Sequence, residues 1–572
     1  MIAKNRFRLG FLILTLLSLA IAIFLTGVVE NFRGARIDLS EDKLYTLSDS
    51  AEGILQRLKV PVQLKYYVTG QAKMPTELKN LERDVRDKLQ DYADASGGMI
   101  EFSIHDPSLD EEQQDALVAK GIRPFQVQTV ERDERSLKLI WSAISIAYKD
   151  SPEEILPQVL PQTLVTFEYE LLSRVFRMTQ DRRPVLALYA KKPELDPQTM
   201  QAYMQMGMAP PEMPDTWQQL VEVLRSELYD VRRVDLTPES PIPADADALL
   251  VMNPRNLNAR QSWEIGNAVS RGVNTLLAIQ NMEYDYQPGQ RGGFRITPKQ
   301  FSSGLESLLR QHGIAVGNMQ LFDAEHETLT IPRQSNLGGM TIQTAEPVRV
   351  PMQIAVRGEQ LNRDVPITNR IEALFYPWGT DVQVDPVKMA TSNIGAQAMF
   401  SSSSRSWHKS FAGAPLTQAD VSVDGQDYDG PHPLGWILDG VFAEPEGSMP
   451  DWVEPDTLIT GEPFVQGAPA AAQFMVLGCG KMFEQPFLGG AQNAMLLLNS
   501  VDALALGGEL IGIRSRVITQ RSLETMEPRT KLAYRLFTVV LVPVLIALFG
   551  IVRMILRRKE SALYLENRKA RS

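Results

Sequence analysis

The chain of 572 residues carries one cysteine, Cys479, within the run Gly478-Cys479-Gly480-Lys481-Met482. A thiol at the end of an apolar strand is where an amidotransferase-like enzyme would place its nucleophile, and that thiol needs a nearby base to form thiolate. The histidines His105, His312, His326, His408 and His432 are scattered, and none stands in a recognisable Cys-His frame. Cys479 therefore reads as a small structural residue, and His312 as a helix C-terminal residue before Gly313. The same run has the look of a phosphate loop. A Walker A sequence would need Gly at position 475 and Ser or Thr at 482, and both are Met here. The Mg²⁺-binding hydroxyl is missing, so any ATPase must be a separate chain.

Metal chemistry has one local candidate, Asp323, Glu325, His326 and Glu327. Without ligands from a second segment this cluster reads as a solvated turn. A single cysteine excludes an intramolecular disulfide and a cysteine cage, and neither H-E-x-x-H nor an EF-hand loop occurs. No catalytic residue, metal or cofactor is expected. Ser401, Ser402, Ser403, Ser404, Arg405 and Trp407 form a candidate polar ligand surface, with an exposed flexible loop as the alternative. Met200, Met204, Met206, Met208 and Met213 suit an adaptable interaction surface or a plain loop packed on the body.

The elements that must position these residues alternate between strand and helix. Ser48 can cap a helix with Ala51, Ile54, Leu55 and Leu58 on one face. Strands follow at 62–68 and 99–104, with the helical stripe Leu78, Leu81, Val85, Leu89 and Tyr92 between them. Strand, helix, strand predicts a small parallel sheet with a thioredoxin-like start; no C-x-x-C is present, so no redox role follows. From Val185 onward the alternation resumes with strands at 185–189, 248–252 and 273–279 and a helix ending at Ser270, which predicts a doubly wound sheet. No internal repeat is evident.

Charge and hydropathy set the expected topology. The net charge is −11. With the basic flank and tail set aside the body is near about −19, which makes nucleic acid a poor partner. Residues 9–29 are free of charge and long enough to cross about 30 Å of hydrocarbon. A second apolar stretch covers 536–552. Arg6 and Arg8 precede the first, Arg535 and Arg553 flank the second, and Arg557 and Arg558 lie in the tail. Basic outer flanks predict two spans with both termini cytoplasmic and the bulk of the chain periplasmic, in a bacterial inner membrane. The expected fold class is α/β: a two-helix membrane anchor, a thioredoxin-like small α/β domain and a larger doubly wound α/β domain. The expected segments are 1–8 cytoplasmic, 9–29 transmembrane, 30–180 first α/β domain, and 181–530 second α/β domain with an irregular insertion near 330–465. A second span at 531–555 and a basic tail at 556–572 complete the chain.

An ordered series of stretches resembles the auxiliary subunits of ABC transport systems named for gliding motility (GldG-like). The series begins with IDLSEDKLYTLSDSAEGILQRLKVPVQLKYYVTG, GIRPFQVQ, TFEYELLSRVFRMTQDRRPVLALYA and ADALLVMNPRNLNARQSWEIGNAVSRGVNTLLAI. LESLLRQHGIAVGNMQLFD, SSSSRSW and NAMLLLNSVDALALGGELIGIRSR complete it. The resemblance implies a non-catalytic extracytoplasmic component working beside an ABC-2 type permease and a separate ABC ATPase. It also implies a second domain similar to glutamine-amidotransferase-like folds without their catalytic machinery. The chain departs from the family at Gly478-Cys479-Gly480-Lys481, where acidic residues are frequent, and at Ala190-Lys191-Lys192, where a Gly-His turn is frequent. A cell-envelope scaffold and a membrane-tethered amidotransferase-like enzyme are the competing readings. Neighbouring genes for an ATPase and a permease would favour the accessory subunit.

Overall fold

The computed structural model describes residues 47–507 except 132–133, 181, 196, 289–293, 338–339, 418–419, 454–457 and 460, together with Leu510, Phe537 and 547–559. The first helix, Asp49–Gln56, starts where the sequence places its cap: the Ser48 hydroxyl accepts from the Ala51 backbone N at 3.0 Å. Its apolar face of Ala51, Ile54, Leu55 and Leu58 is buried. The strand Val62–Val68 pairs in parallel with Ile100–His105 and antiparallel with Ser142–Tyr148, and Glu154–Leu156 closes that sheet antiparallel. Helix Leu81–Ala95 makes the crossover, burying Leu81, Val85, Leu89 and Tyr92. Helix Phe167–Thr179 packs Phe167, Leu171, Leu172 and Val175 into the same core.

The larger sheet has seven strands in the order Gly395–Ser401, Pro433–Val441, Ala471–Leu477, Asn274–Ala278, Ala248–Met252, Val185–Tyr189 and Asp230–Arg233. The last five run in parallel. Val185–Tyr189 and Ala248–Met252 are buried throughout, as strands covered on both faces must be. Leu186, Leu188 and Leu250 share one core with Trp217, Leu220, Leu224 and Leu497. Ala187, Leu249, Val251 and Leu277 share the opposite core with Ile265, Ala268 and Val269. Helix Ala259–Ser270 is fixed at its start by a capping box between Asn258 and Gln261.

The expected fold class needs correction. The described residues form a mixed α/β architecture with eight sheets, and the two-helix anchor is not part of it. Two strands of the large sheet, Gly395–Ser401 and Pro433–Val441, come from the stretch read as an irregular insertion, and they join antiparallel. The stretch 330–465 that holds them is rich in Gly, Pro and Ser, which hid the alternation that strand recognition relies on.

Among the described residues no helix is long and apolar enough to cross a membrane. That finding overturns the expected two-pass inner-membrane location with a periplasmic bulk. The first expected span, 9–29, and its flanks Arg6 and Arg8 lie outside the described residues, as does Arg535. Residues 518–572 form a compact unit of their own. Within it residues 547–559 are helical, and the greater part of the second expected span lies outside the described residues. Arg553, Arg557, Arg558 and Lys559 lie on this helical segment.

Candidate functional site

The strands Ala248–Met252, Asn274–Ala278 and Ala471–Leu477 end at one edge of the sheet, where Asn253, Gln280 and Gly478-Cys479-Gly480-Lys481 follow. Open α/β sheets collect ligands outside these carboxyl ends. Here the turn is filled by protein. A Cβ on Gly478 would overlap the Thr380 carbonyl and stand 2.7 Å from the Tyr376 hydroxyl; one on Gly480 would stand 2.9 Å from the Ala278 carbonyl. Cys479 is fully buried, and its thiol donates to the Pro377 carbonyl at 3.2 Å rather than to a base. Burial pushes that thiol well above its ordinary pKa, which disfavours the thiolate a nucleophile requires.

Lys481 beside it is neutralised. Its Nζ lies 3.1 Å from Glu484 and 3.3 Å from Glu283, and Glu283 is held by Arg255 at 2.6 Å. Burial works against the ammonium charge, yet the Glu484 and Glu283 carboxylates raise its pKa. Met475 and Met482 are both buried. A lysine occupied by two carboxylates does not serve as a phosphate ligand.

The serine-rich stretch sits next to a cluster that reading along the sequence does not bring together. Ser402 and Ser403 are buried. Ser402 Oγ accepts from the His432 backbone N at 2.8 Å, and Ser402 N donates to the His432 carbonyl at 2.9 Å. Ser403 donates both its N and its Oγ to Asp323. Asp323 is itself fully buried, so it belongs to this packed turn and not to a solvated one. Trp407 is buried against Phe322 and Tyr428, with ring centroids 5.5 and 5.8 Å away. Of the six residues of the expected polar surface, Ser404 and Arg405 are exposed, and Ser401 is half-buried.

The turn between these segments carries the chemistry. The backbone N groups of Asp429 and Gly430 both donate to the Ser406 carbonyl, at 3.0 and 3.2 Å. The Asp429 carboxylate then faces two imidazoles: Oδ2 is 2.9 Å from His408 Nδ1, and Oδ1 is 2.9 Å from His432 Nε2. On its other side His408 Nε2 lies 3.3 Å from Asp381 Oδ1. Asp381 is buried, and its second oxygen accepts from Gln383 at 2.9 Å. Burial opposes charge on His408, while its hydrogen bonds to the Asp381 and Asp429 carboxylates raise its pKa. Burial likewise raises both carboxyl groups, and their histidine partners outweigh it, leaving Asp381 and Asp429 below the usual carboxylate range.

The cluster adjoins the same sheet edge as Cys479. His432 immediately precedes the strand Pro433–Val441, whose Gly435 pairs with Leu477, and the Leu434 carbonyl accepts from Gly478 N. Sequence reasoning found the serines and missed the histidines, because His408 and His432 meet only through strand pairing and the turn at Asp429-Gly430-Pro431. The one local signal was the carboxylate and imidazole three residues apart at Asp429 and His432.

Other expected features are placed as follows. His326 Nδ1 lies 3.0 Å from the Asp323 carbonyl, and His105 bonds Ser103 at 2.9 Å. His312 ends helix Glu306–Gln311 ahead of Gly313, which takes φ +72°. Met200, Met204, Met206, Met208 and Met213 are exposed.

Comparison with known proteins identifies the larger part of the chain. Residues 41–147 match a domain of unknown function, DUF7088. An uncharacterized protein from Borreliella burgdorferi is 19% identical over 539 residues, spanning 92% of this chain and 94% of its own. Among solved structures, the mmIFT52 N-terminal domain aligns at TM-score 0.30 and 14% identity over 56% of this chain and 96% of that one. A ThuA-like protein from Bacteroides uniformis aligns at TM-score 0.27 and 12% identity over 57% and 92%. Residues 183–502, which contain the large sheet and the histidine cluster, match the family described as ABC-type uncharacterized transport system, and the chain belongs to that family as an auxiliary component of ABC transport.

Proposed function

We propose that the protein is a non-catalytic accessory subunit of an ABC-2 type transporter, related to the GldG-like group, which acts with a separate ATPase and a separate permease. The family match over residues 183–502 carries this reading. Two observations support it. At the sheet edge where a related α/β enzyme would keep its nucleophile, Cys479 is sealed and bonded to a backbone carbonyl. Lys481 is bound by carboxylates, and the Walker A positions 475 and 482 hold buried methionines. The hydrolytic work is therefore assigned to a partner chain. Exposed Ser404 and Arg405, with the exposed methionines between 200 and 213, offer the surfaces for such a partner.

Purification of the full chain under mild conditions from its native cells tests this reading. An ABC ATPase and a multi-span permease in constant ratio to the chain are the expected result. Recovery of the chain alone across several gentle conditions would overturn it and favour a scaffold role. Replacing Cys479 by Ala should leave the recovered complex unchanged.

A further inference from the structure

We propose that His408, Asp429 and His432 form a site for one divalent transition-metal cation, with zinc the ion that suits the donors, and that Asp381 orients His408 from outside it. The site goes beyond the accessory role and does not depend on it.

Three observations carry the inference. First, one donor atom from each of the three residues lies within 4.8 Å of the others. Ligands about 2.0–2.2 Å from a tetrahedral zinc stand roughly 3.3–3.6 Å apart, so small ring rotations bring the set into range. Second, the three side chains come from two rigidly held segments, the strand of His408 and the turn that carries Asp429 and His432. His408 lies on the strand Ser406–Lys409, paired with Leu321. Asp429 sits on the turn tied to the Ser406 carbonyl, and His432 is locked to Ser402 through both backbone groups. Such anchoring is what a preorganised site requires. Third, the arrangement has an outer carboxylate. Asp381 takes the Nε2 side of His408 and is itself held by Gln383. That leaves Nδ1 of His408 as the free lone pair, the role carboxylates play behind metal-bound histidines.

An ion-pair network is the competing explanation, and it fits less well. Even with Asp381 on one side and Asp429 shared between them, two protonated imidazoles whose ring centres are 4.2 Å apart repel each other. A cation between them uses both rings neutral and needs the carboxylate ionised. The donor set is two imidazole nitrogens and one carboxylate oxygen, without thiolate and without an oxygen cage. It therefore disfavours Cu(I), Mg²⁺ and Ca²⁺ and suits zinc and its first-row neighbours. His408 is almost closed off, whereas the Asp429 side chain is 50% exposed. The fourth coordination position would therefore face solvent or a partner.

The test uses the full-length, tag-free protein stripped with chelator, then titrated calorimetrically with zinc chloride and, separately, followed by absorption with cobalt chloride. One saturable equivalent per chain is expected, with the intense visible bands of tetrahedral cobalt. The paired substitutions His408→Ala and His432→Ala should abolish saturable binding, and Asp381→Asn should weaken it about 10–100-fold. His326→Ala, outside the site, should bind as the wild type does. Circular dichroism checks that each variant is folded. If the paired variant does not fold, the wild-type cobalt spectrum decides alone. Absence of a saturable equivalent in the wild type, six-coordinate cobalt bands, or unchanged affinity in the folded paired variant would each overturn the proposal.

Discussion

The buried ion pair of Arg177 and the histidine–carboxylate cluster around Asp429 use similar chemistry in different surroundings. Arg177, on helix Phe167–Thr179, reaches Glu227 at 2.7 Å and Asp502 at 3.2 Å, and Tyr229 donates to Asp502. Arg177 and Asp502 are closed to solvent on every side, with side-chain exposures of 2% and 0%. These contacts tie the first, four-stranded body to helices of the large sheet, since Tyr169 also bonds Glu227 at 2.8 Å. At the Asp429 cluster one carboxylate is half open to water. A sealed cluster can only hold the fold, whereas an open one can exchange a ligand. Burial drives the Asp502 carboxyl up to about 6 despite its Arg177 and Tyr229 partners. At Asp381 and Asp429 the partners prevail over burial.

The largest expected effect breaks the sealed side. Arg177→Met leaves Asp502 buried without its cation, and should lower stability by about 3–5 kcal/mol in urea unfolding. Adding Asp502→Leu should restore most of the loss, because a buried pair exchanged for apolar side chains is often neutral. A silent single variant would show that the junction is not structural. Next is the filled turn at the sheet edge. Gly478→Ala places a Cβ against the Thr380 carbonyl and the Tyr376 hydroxyl, and should cost roughly 1–3 kcal/mol as overpacking.

A pH series sharpens the comparison further. Asp502 holds its proton more tightly in the folded chain than in the unfolded one, so its contribution is fully present below the ordinary carboxyl value near 3.8. That contribution is lost as pH rises through about 6. Unfolding followed from pH 4 to 7 should show this decline, and Asp502→Asn should flatten it. The smallest effect belongs to the open surface. Arg405→Ala should change stability by no more than about 0.5 kcal/mol, and a larger loss would make Arg405 part of the packed turn.

Local elements were readable where one face of a short segment is buried. Ser48 with Ala51, Ile54, Leu55 and Leu58 announces its helix, because the cap and the i, i+3, i+4, i+7 spacing are local quantities. The apolar run Val185–Tyr189 announces a strand covered on both faces. The antiparallel strands Gly395–Ser401 and Pro433–Val441 were not readable, since their partners lie far along the chain. The expected two-pass anchor forms no part of the described fold, because among the described residues no helix is long and apolar enough to cross a membrane. At the candidate site the sequence exposed Ser401 to Ser404, Arg405 and Trp407 but not the partners Asp381, His408, Asp429 and His432. Strand pairing and the turn at Asp429-Gly430-Pro431 bring those four together, and strand register is set by long-range pairing.

Under the proposed function the two regions join in one account: a sealed scaffold that would hold an open surface for a partner. The most direct test places a photo-crosslinking amino acid at Arg405 in the full chain in its native cells, with Arg83, an exposed helical residue of the other body, as the control position. Crosslinks from position 405 to an ABC permease or ATPase, absent from position 83, are the predicted result. Crosslinks to neither subunit from position 405, with the chain expressed and folded, would contradict the accessory role assigned to this surface.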